Sequence, residues 1–320
     1  MIGEYNNVKK IVAIGDLHGD ILQLISILLH SKLIIKKVKN KCVSSNDYDI
    51  KNWKWIGGKT YLVQLGDIFD GGGRGNDGSF QDNEVEIYKF LVHLKNLAKK
   101  KGGNVVLIMG NHEIMNFKGN YNYVQKHTSD KCLTFNNNSF DYKSDKSKSC
   151  IGDRNKLFAI PNGPLSKSMS KYMRGIVRIN NNIFCHGGIS LLISKKFDIN
   201  KINKILYAYL TGSLDYNSNL FQTVYGSNGI IWFREFSKSD DNCGALKQTL
   251  KNLKSKRMIV GHTPQKNGIT NYCKKYNESV WAIDVGLSRA FNTKQFCQYL
   301  VIENDIPCVE QCNLLSECKL

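Results

Sequence analysis

The segment IVAIGDLHGD, residues 11–20, sets the pattern for the chain: an apolar run reaches Gly15 and then delivers Asp16 and His18. Four further segments repeat the form. YLVQLGDIFD (61–70), VVLIMGNHE (105–113), IFCHGG (183–188) and MIVGHT (258–263) each join a short apolar run to glycine and to a carboxylate, carboxamide or imidazole. Short runs of β-branched and aliphatic residues predict strands buried on both faces. Glycine at the strand end lets the backbone turn sharply and brings the next side chain over the sheet edge. VWAIDVG (280–286) and FCQYLVIEN (296–304) predict two more strands, with no ligand at their ends.

Helical periodicity fills the gaps between the first strands. Asp20 is expected to N-cap a helix that carries Ile21, Leu22, Ile25, Leu28 and Leu29 on one face. Glu84 to Lys101 carries Val85, Tyr88, Leu91, Val92 and Leu94 at helical spacing, with acidic residues first and lysines last, before Gly102 and Gly103. Strands alternating with helices define an α/β layered domain, in which ligands collect at the carboxyl ends of the strands. That domain is expected over residues 8–303, with a C-terminal tail over 304–320. The polar, weakly periodic stretch 116–160 is expected to be a lid, an inserted subdomain or a flexible surface insertion.

Composition narrows the class. In 320 residues, 42% of them hydrophobic, 45 Lys+Arg stand against 27 Asp+Glu, for a net charge of +18. The apolar content excludes a disordered chain, and the absence of ~18 consecutive apolar residues excludes a transmembrane helix. The start MIGEYNNVKK lacks a signal-peptide pattern, so a cytoplasmic protein is expected. The charge comprises 38 Lys and only seven Arg, alongside 34 Asn, which reads as compositional bias more than selection for a nucleic-acid partner. Ten cysteines without a CxxC pair are expected to be reduced thiols. Cys308, Cys312 and Cys318, a C-x3-C-x5-C spacing without histidine, match no zinc pattern.

Four of the seven histidines fall in the five strand-end motifs. With their neighbours they form one set: Asp16, His18, Asp67, Asn111, His112, His186 and His262. Mixed imidazole and carboxylate ligands suit Mn, Fe or Zn. Six ligands drawn from these seven residues exceed one tetrahedral zinc, but match two divalent ions that share a bridging carboxylate about 3.5–4 Å apart, an arrangement that clamps phosphoryl oxygens. The residue types therefore point to phosphoester hydrolysis.

GDLHGD, GDIFD, GNHE, HGG and GHT resemble the five signature motifs of the calcineurin-like metallophosphoesterases, in the form used by PPP-type phosphatases, and the resemblance runs from residue 11 to about 303. GNHEIMNFKGNYNYV (110–124), IIWFREF (230–236), IVGHTPQKNGI (259–269) and WAIDVGLSRA (281–290) are similar to the Shewanella-like protein phosphatase branch. The resemblance implies a four-layer α/β/β/α sandwich, with Asp16 and His18 on a first metal, Asp67 bridging, and Asn111, His186 and His262 on a second. It further implies His112 as general acid paired with Asp70, and in-line attack by a metal-bridged hydroxide without a phosphoenzyme. Pro264, in GHTP, agrees with the PPP-type subset. The family pattern GDxxDRG is broken here, because Gly71 stands where an arginine holds phosphate oxygens. Arg74, in the adjacent Gly-rich loop, and Arg234, in IIWFREF, are the substrate-binding candidates.

The expected activity is phosphomonoester hydrolysis, on phosphoprotein Ser/Thr or Tyr, with a tilt toward phosphotyrosine. A nucleotide or dinucleoside polyphosphate hydrolase is the alternative, and would need a base clamp such as Phe117, Tyr121 and Tyr123. A catalytically weak phosphate-binding scaffold is the alternative outside enzymology. Oligomeric state has no signature in the sequence.

Overall fold

The apolar runs pair into two six-stranded sheets in a computed structural model, which describes residues 3–36, 52–75, 83–125, 131–136, 139–144, 151–274, 279–291 and 296–313. One sheet is built from β2 (Lys10–Ile14), β5 (Tyr61–Gln64) and β6 (Asn104–Ile108), all parallel, with Val12 opposite Leu62 and Leu62 opposite Val105. β9 (Met173–Arg174) extends it beyond β6, and β15 (Gln298–Glu303) and β16 (Ile306–Gln311) add antiparallel strands beyond β2. The second sheet runs β1 (Glu4–Tyr5), β10 (Ile176–Ile179), β11 (Asn182–Cys185), β12 (Arg257–Val260), β14 (Ser279–Ala282) and β13 (Thr270–Tyr272), with β11, β12 and β14 parallel. Two hairpins stand apart: β3 (Ile34–Lys36) with β4 (Trp53–Trp55), and β7 (Lys131–Asn136) with β8 (Ser139–Ser144).

Side-chain alternation along the strands sorts the core into layers. Ile11, Ala13, Val63, Val106 and Ile108 from the first sheet meet Val177, Ile179, Phe184 and Ile259 from the second in one core. The alternate residues, Val12, Ile14, Leu62, Val105 and Leu107, face a separate core with Leu24 and Leu28 of helix α1 (Ile21–His30) and Leu91 and Leu94 of helix α2 (Glu84–Lys99). Ile176, Met258 and Val260 do the same for the second sheet, beneath α7 (Ile199–Leu210) and α9 (Cys243–Asn252). The result is an α/β/β/α sandwich. Shorter helices complete it: α3 (Asn111–Phe117), α4 (Ile151–Phe158), α5 (Pro164–Tyr172), α6 (Leu191–Lys196) and α8 (Asn219–Tyr225). No described helix is long and apolar enough to cross a membrane.

Three local expectations change. Asp20 sits at the N-cap of α1 but makes no side-chain cap bond. Its carboxylate instead accepts from the Arg289 backbone N–H at 2.9 Å, Nε at 2.9 Å and Nη2 at 3.0 Å. The segment after Glu303 is not simply a tail, because Ile306–Gln311 completes the ladder with β15. The reduced-thiol expectation fails for four cysteines: Cys243 is bonded to Cys273, and Cys297 to Cys312. Their Cα atoms lie 5.4 and 5.1 Å apart, within the disulfide range, and pairs separated by 30 and 15 residues leave no local motif to read. With these bonds the cysteine argument for a reducing compartment falls away. Cys185 is free and buried, Cys308 is free and exposed, and Cys318 lies outside the described residues. Within 116–160 the described parts include the β7–β8 hairpin and α4.

Phe184 is fully buried between the two sheets. Phe184→Ala is expected to lower unfolding stability by about 3–5 kcal/mol through lost burial and a residual cavity. Urea unfolding followed by far-UV circular dichroism measures this, and a loss below about 1 kcal/mol would contradict a packed inter-sheet core.

Candidate active site

The five strand-end motifs turn at one edge of the sandwich, and their backbone is strained to do so. His18, Asp67, Asp70 and His262 have φ of 42°, 50°, 69° and 66°, in the left-handed region. Each such residue costs on the order of 1–3 kcal/mol, so the surrounding structure must hold it. Gly110 is required by close approach: a Cβ there would collide with the Asp67 carboxylate, and one at Gly261 with that of Asp16. Glu113, in the first turn of α3, braces two of the loops. Its carboxylate accepts backbone N–H groups from Gly110 at 2.7 Å, Ile68 at 2.8 Å and Asp67 at 3.0 Å.

The side chains converge on Asp67. Its Oδ2 lies 3.2 Å from His186 Nε2, 3.9 Å from His112 Nε2 and 4.0 Å from His18 Nε2. Asn111 Oδ1 is 2.9 Å from His186 Nε2. The Asp16 carboxylate accepts the backbone N–H of His262 at 3.1–3.2 Å and lies 4.0 Å from His18 Nε2. His18 and His186 direct Nδ1 at the carbonyls of Phe69 (3.1 Å) and Leu65 (2.6 Å). With Nδ1 of each ring directed at a carbonyl, which only accepts, Nε2 is the ring atom turned to the centre.

At this centre two three-residue groups have the donors to hold a divalent cation: His18, Asp67 and His112, and Asp67, His186 and His262. Asp67 belongs to both. His262 Nε2 is buried without a hydrogen-bond partner, an orphaned polar atom that a cation would satisfy. The carboxylates show the same need. Burial, then the charge of Asp284, raises Asp16 well above the usual carboxylate range. Burial raises Asp284 to about 6, and burial with the charge of Asp67 raises Glu113 to about 7. Asp67 alone is held well below its usual value, because the attraction of His186 and His112 overcomes burial. His186 is correspondingly raised to about 10 against burial by Asp67 and Asp16. Burial, His186 and Arg234 together push His262 down to about 2, and burial with Arg74 lowers His18. Buried negative charge of this kind needs a cation, and mixed imidazole and carboxylate donors suit a divalent one.

A cleft of about 210 Å³ opens onto this centre, lined by Asp16, His18, Asp67, Arg74, Asn111, His112, Arg234 and His262, among others. His186 is fully buried behind it, and Asp70 beneath His112, whose Nδ1 lies 2.9 Å from Asp70 Oδ2. All ten residues singled out in the sequence therefore meet at one place. Arg74 enters from the Gly-rich loop, with Nη2 at 3.1 Å from His18 Nε2 and 3.0 Å from His112 Nε2. Its guanidinium lies 5.3 Å from the ring centres of both Tyr123 and Phe291. Arg234 is anchored on the His262 carbonyl and on Thr263 Oγ1, the latter at 3.3 Å. The aromatic trio considered as a base clamp is dispersed. Tyr123 lines the cleft, Phe117 packs on Phe158, and Tyr121 binds Asn155.

The sequence reading missed Asp284, Trp232 and Phe291, which also line the cleft. Asp284 follows the apolar run of β14 and had a readable signal, although no glycine precedes it. Arg154, buried against Asp70 at 3.2 Å, was also missed and carries no local motif.

Residues 9–266 match the calcineurin-like phosphoesterase family. Shewanella-like protein phosphatase 1 of Plasmodium berghei is 36% identical over 315 residues, covering 94% of this chain and 74% of that protein. Shewanella-like protein phosphatase 2 of Arabidopsis thaliana is 29% identical over 316 residues, covering 89% and 73%. Among solved structures, the cold-active protein-tyrosine phosphatase of a psychrophilic Shewanella species superposes with a TM-score of 0.71 at 25% identity, covering 98% of this chain and 83% of that one. The chain therefore belongs to the calcineurin-like phosphoesterase family. By this kinship it is a phosphatase.

Metal binding is directly measurable. Mn²⁺ at about 100 times its dissociation constant is expected to stabilise the fold by about 2.7 kcal/mol per site, read as a rise in melting temperature. Asp67→Asn, which removes the carboxylate common to both groups, is expected to abolish the rise and the bound metal. An unchanged metal content in that variant would contradict the assignment.

Proposed function

We propose that the protein is a phosphoprotein phosphatase with a dinuclear metal centre, in which Asp16 and His18 hold one ion, Asn111, His186 and His262 the other, and Asp67 bridges them. The observation that carries this reading is the sharing of buried Asp67 between two histidine-containing groups, beside a His112–Asp70 pair on the same cleft. Two divalent ions, of Mn, Fe or Zn, would supply Lewis-acid charge to the phosphoryl oxygens and generate the nucleophile at neutral pH.

The chain's own residues supply orientation and proton transfer. His112 gives Nδ1 to Asp70 and turns Nε2 to the cleft, where it delivers a proton to the departing oxygen. Arg234 brings a guanidinium to the cleft wall while the His262 carbonyl and Thr263 hold it in place. Arg74 supplies the second guanidinium, the one that Gly71 lacks, from a loop in which Gly73 and Gly75 have φ of 69° and 90°. Planar forks of this kind match phosphate oxygens and stabilise the charge that develops on them.

Protein substrates are supported by the names of the relatives, two protein phosphatases and a protein-tyrosine phosphatase. Tyr123, Trp232 and Phe291 give the cleft apolar faces suited to an aryl group, which favours phosphotyrosine. The dispersal of Phe117 and Tyr121 removes the support for a nucleotide-base clamp.

Steady-state hydrolysis of phenyl phosphate and phosphotyrosyl peptides with added Mn²⁺ tests the proposal. The phenolic leaving group, of pKa about 10, needs a proton, so His112→Ala is expected to lower kcat by about 10²–10⁴. Arg234→Ala is expected to lower kcat/KM by about 10²–10³ through lost stabilisation of transition-state charge. Wild-type activity no higher than that of Asp67→Asn would refute catalysis. Faster turnover of nucleotides than of phosphopeptides would redirect the substrate class.

A further inference from the structure

Arg154 lies in α4, inside the stretch 116–160, and is 5% exposed. All three guanidinium nitrogens are engaged. Nε donates to Asn116 Oδ1 at 2.6 Å, Nη1 to Glu84 Oε1, and Nη2 to Asp70 Oδ1 at 3.2 Å. Asn116 Nδ2 donates to the same Asp70 oxygen at 2.8 Å and to the His112 carbonyl at 2.9 Å. Glu84 closes the ring by accepting the Asp70 backbone N–H at 3.0 Å. Phe158 and Tyr121 flank the guanidinium, with ring centres at 5.4 and 5.6 Å.

These bonds decide what Asp70 can do. The terminal torsion of an aspartate is broad and roughly two-fold, so an unconstrained carboxylate samples many directions. Here two donors take Oδ1, and Oδ2 is left to His112 Nδ1 at 2.9 Å. Because Asn116 also holds the His112 carbonyl, backbone and imidazole are fixed by the same network. Arg154 touches neither the cleft nor the metal-binding groups.

We propose that Arg154 is a positioning residue for ester cleavage: by pinning the Asp70 carboxylate it fixes the His112 imidazole for proton delivery to the leaving oxygen. The inference rests on the reading of His112 as the proton donor. It gives the 116–160 stretch a part in the chemistry, since α4 supplies the cation that the catalytic pair leans on. An interaction that acts only through the leaving-group proton matters most where the leaving oxygen is most basic.

The test compares Arg154→Met and Arg154→Lys with His112→Ala and Asp70→Asn, all as Mn²⁺-loaded enzyme, on aryl phosphates from 2,4-dinitrophenyl to phenyl. Arg154→Met is expected to lower kcat on phenyl phosphate at least tenfold, a share of the ~10²–10⁴ a positioned proton donor contributes, and on 2,4-dinitrophenyl phosphate by no more than about twofold. KM and bound metal should be unchanged, and Arg154→Lys, which keeps the charge but not the planar fork, should fall between. An equal loss on every ester, or a change confined to KM, would overturn the proposal and leave Arg154 a structural residue. Should Arg154→Met fail to fold, Arg154→Lys decides by the same leaving-group comparison. An effect of His112→Ala that ignores the leaving group sinks the proton-donor reading and this inference with it, whereas an inactive wild type sinks the enzymatic reading itself.

Discussion

The site hangs on Asp67. Its carbonyl accepts the backbone N–H groups of Leu17 and His18 at 3.0 and 2.9 Å, and its own N–H goes to Glu113 at 3.0 Å. Its carboxylate takes the His112 backbone N–H on Oδ1 at 3.0 Å and faces His186 on Oδ2 at 3.2 Å. One residue thus ties the loops after β2, β5, β6 and β11 together, from a left-handed backbone that aspartate adopts only at a cost. Parallel strands within each sheet bring the loop ends to one edge, but only these bonds set the side chains a few ångströms apart. A small error in that spacing would cost more than any single contact, because orientation contributes heavily to catalysis.

Concentrating carboxylates at one buried point creates an electrostatic debt that the protein meets only in part. Asp16, Asp67, Asp284 and Glu113 are all at most 2% exposed. His186 and the nearby arginines offset some of that charge, yet Asp16, Asp284 and Glu113 remain raised. A fold optimised for stability alone would avoid such crowding. Its persistence, with strained backbone at Asp67 and at the neighbouring His18, Asp70 and His262, is intelligible where a divalent cation completes the balance.

The sandwich was legible because its strands are short apolar runs that end in glycine, and because each run delivers a distinctive polar side chain. Asp16, His18, Asp67, Asn111, His112, His186 and His262 all lie within three residues of such a glycine. What escaped depends on partners distant in sequence. Asp20 looked like a helix cap, but Arg289, 269 residues away, outcompetes the local N–H groups for its carboxylate. Cys243 and Cys297 have partners at separations that no spacing rule covers. Arg154 sits in a polar, weakly periodic stretch, and only the folded chain shows that α4 brings it to Asp70. Asp284, two residues before Gly286 in VWAIDVG, shares the local pattern, and only the folded chain shows that it lines the cleft.

The positive charge gains a clearer meaning once arginine and lysine are separated. The 38 lysines follow composition, but each of the seven arginines has defined hydrogen-bond partners. Arg289 grips Asp20, Arg257 binds Asp305 and Asn182, and Arg154 spans Asp70, Asn116 and Glu84. Such sites need a planar fork that remains charged when buried, which lysine does not provide. In a chain that otherwise prefers lysine, an arginine therefore marks a geometric requirement more reliably than any basic run. By that measure Arg74 belongs with the site: its guanidinium is already stationed at His18 and His112, three residues beyond the position where Gly71 gives none.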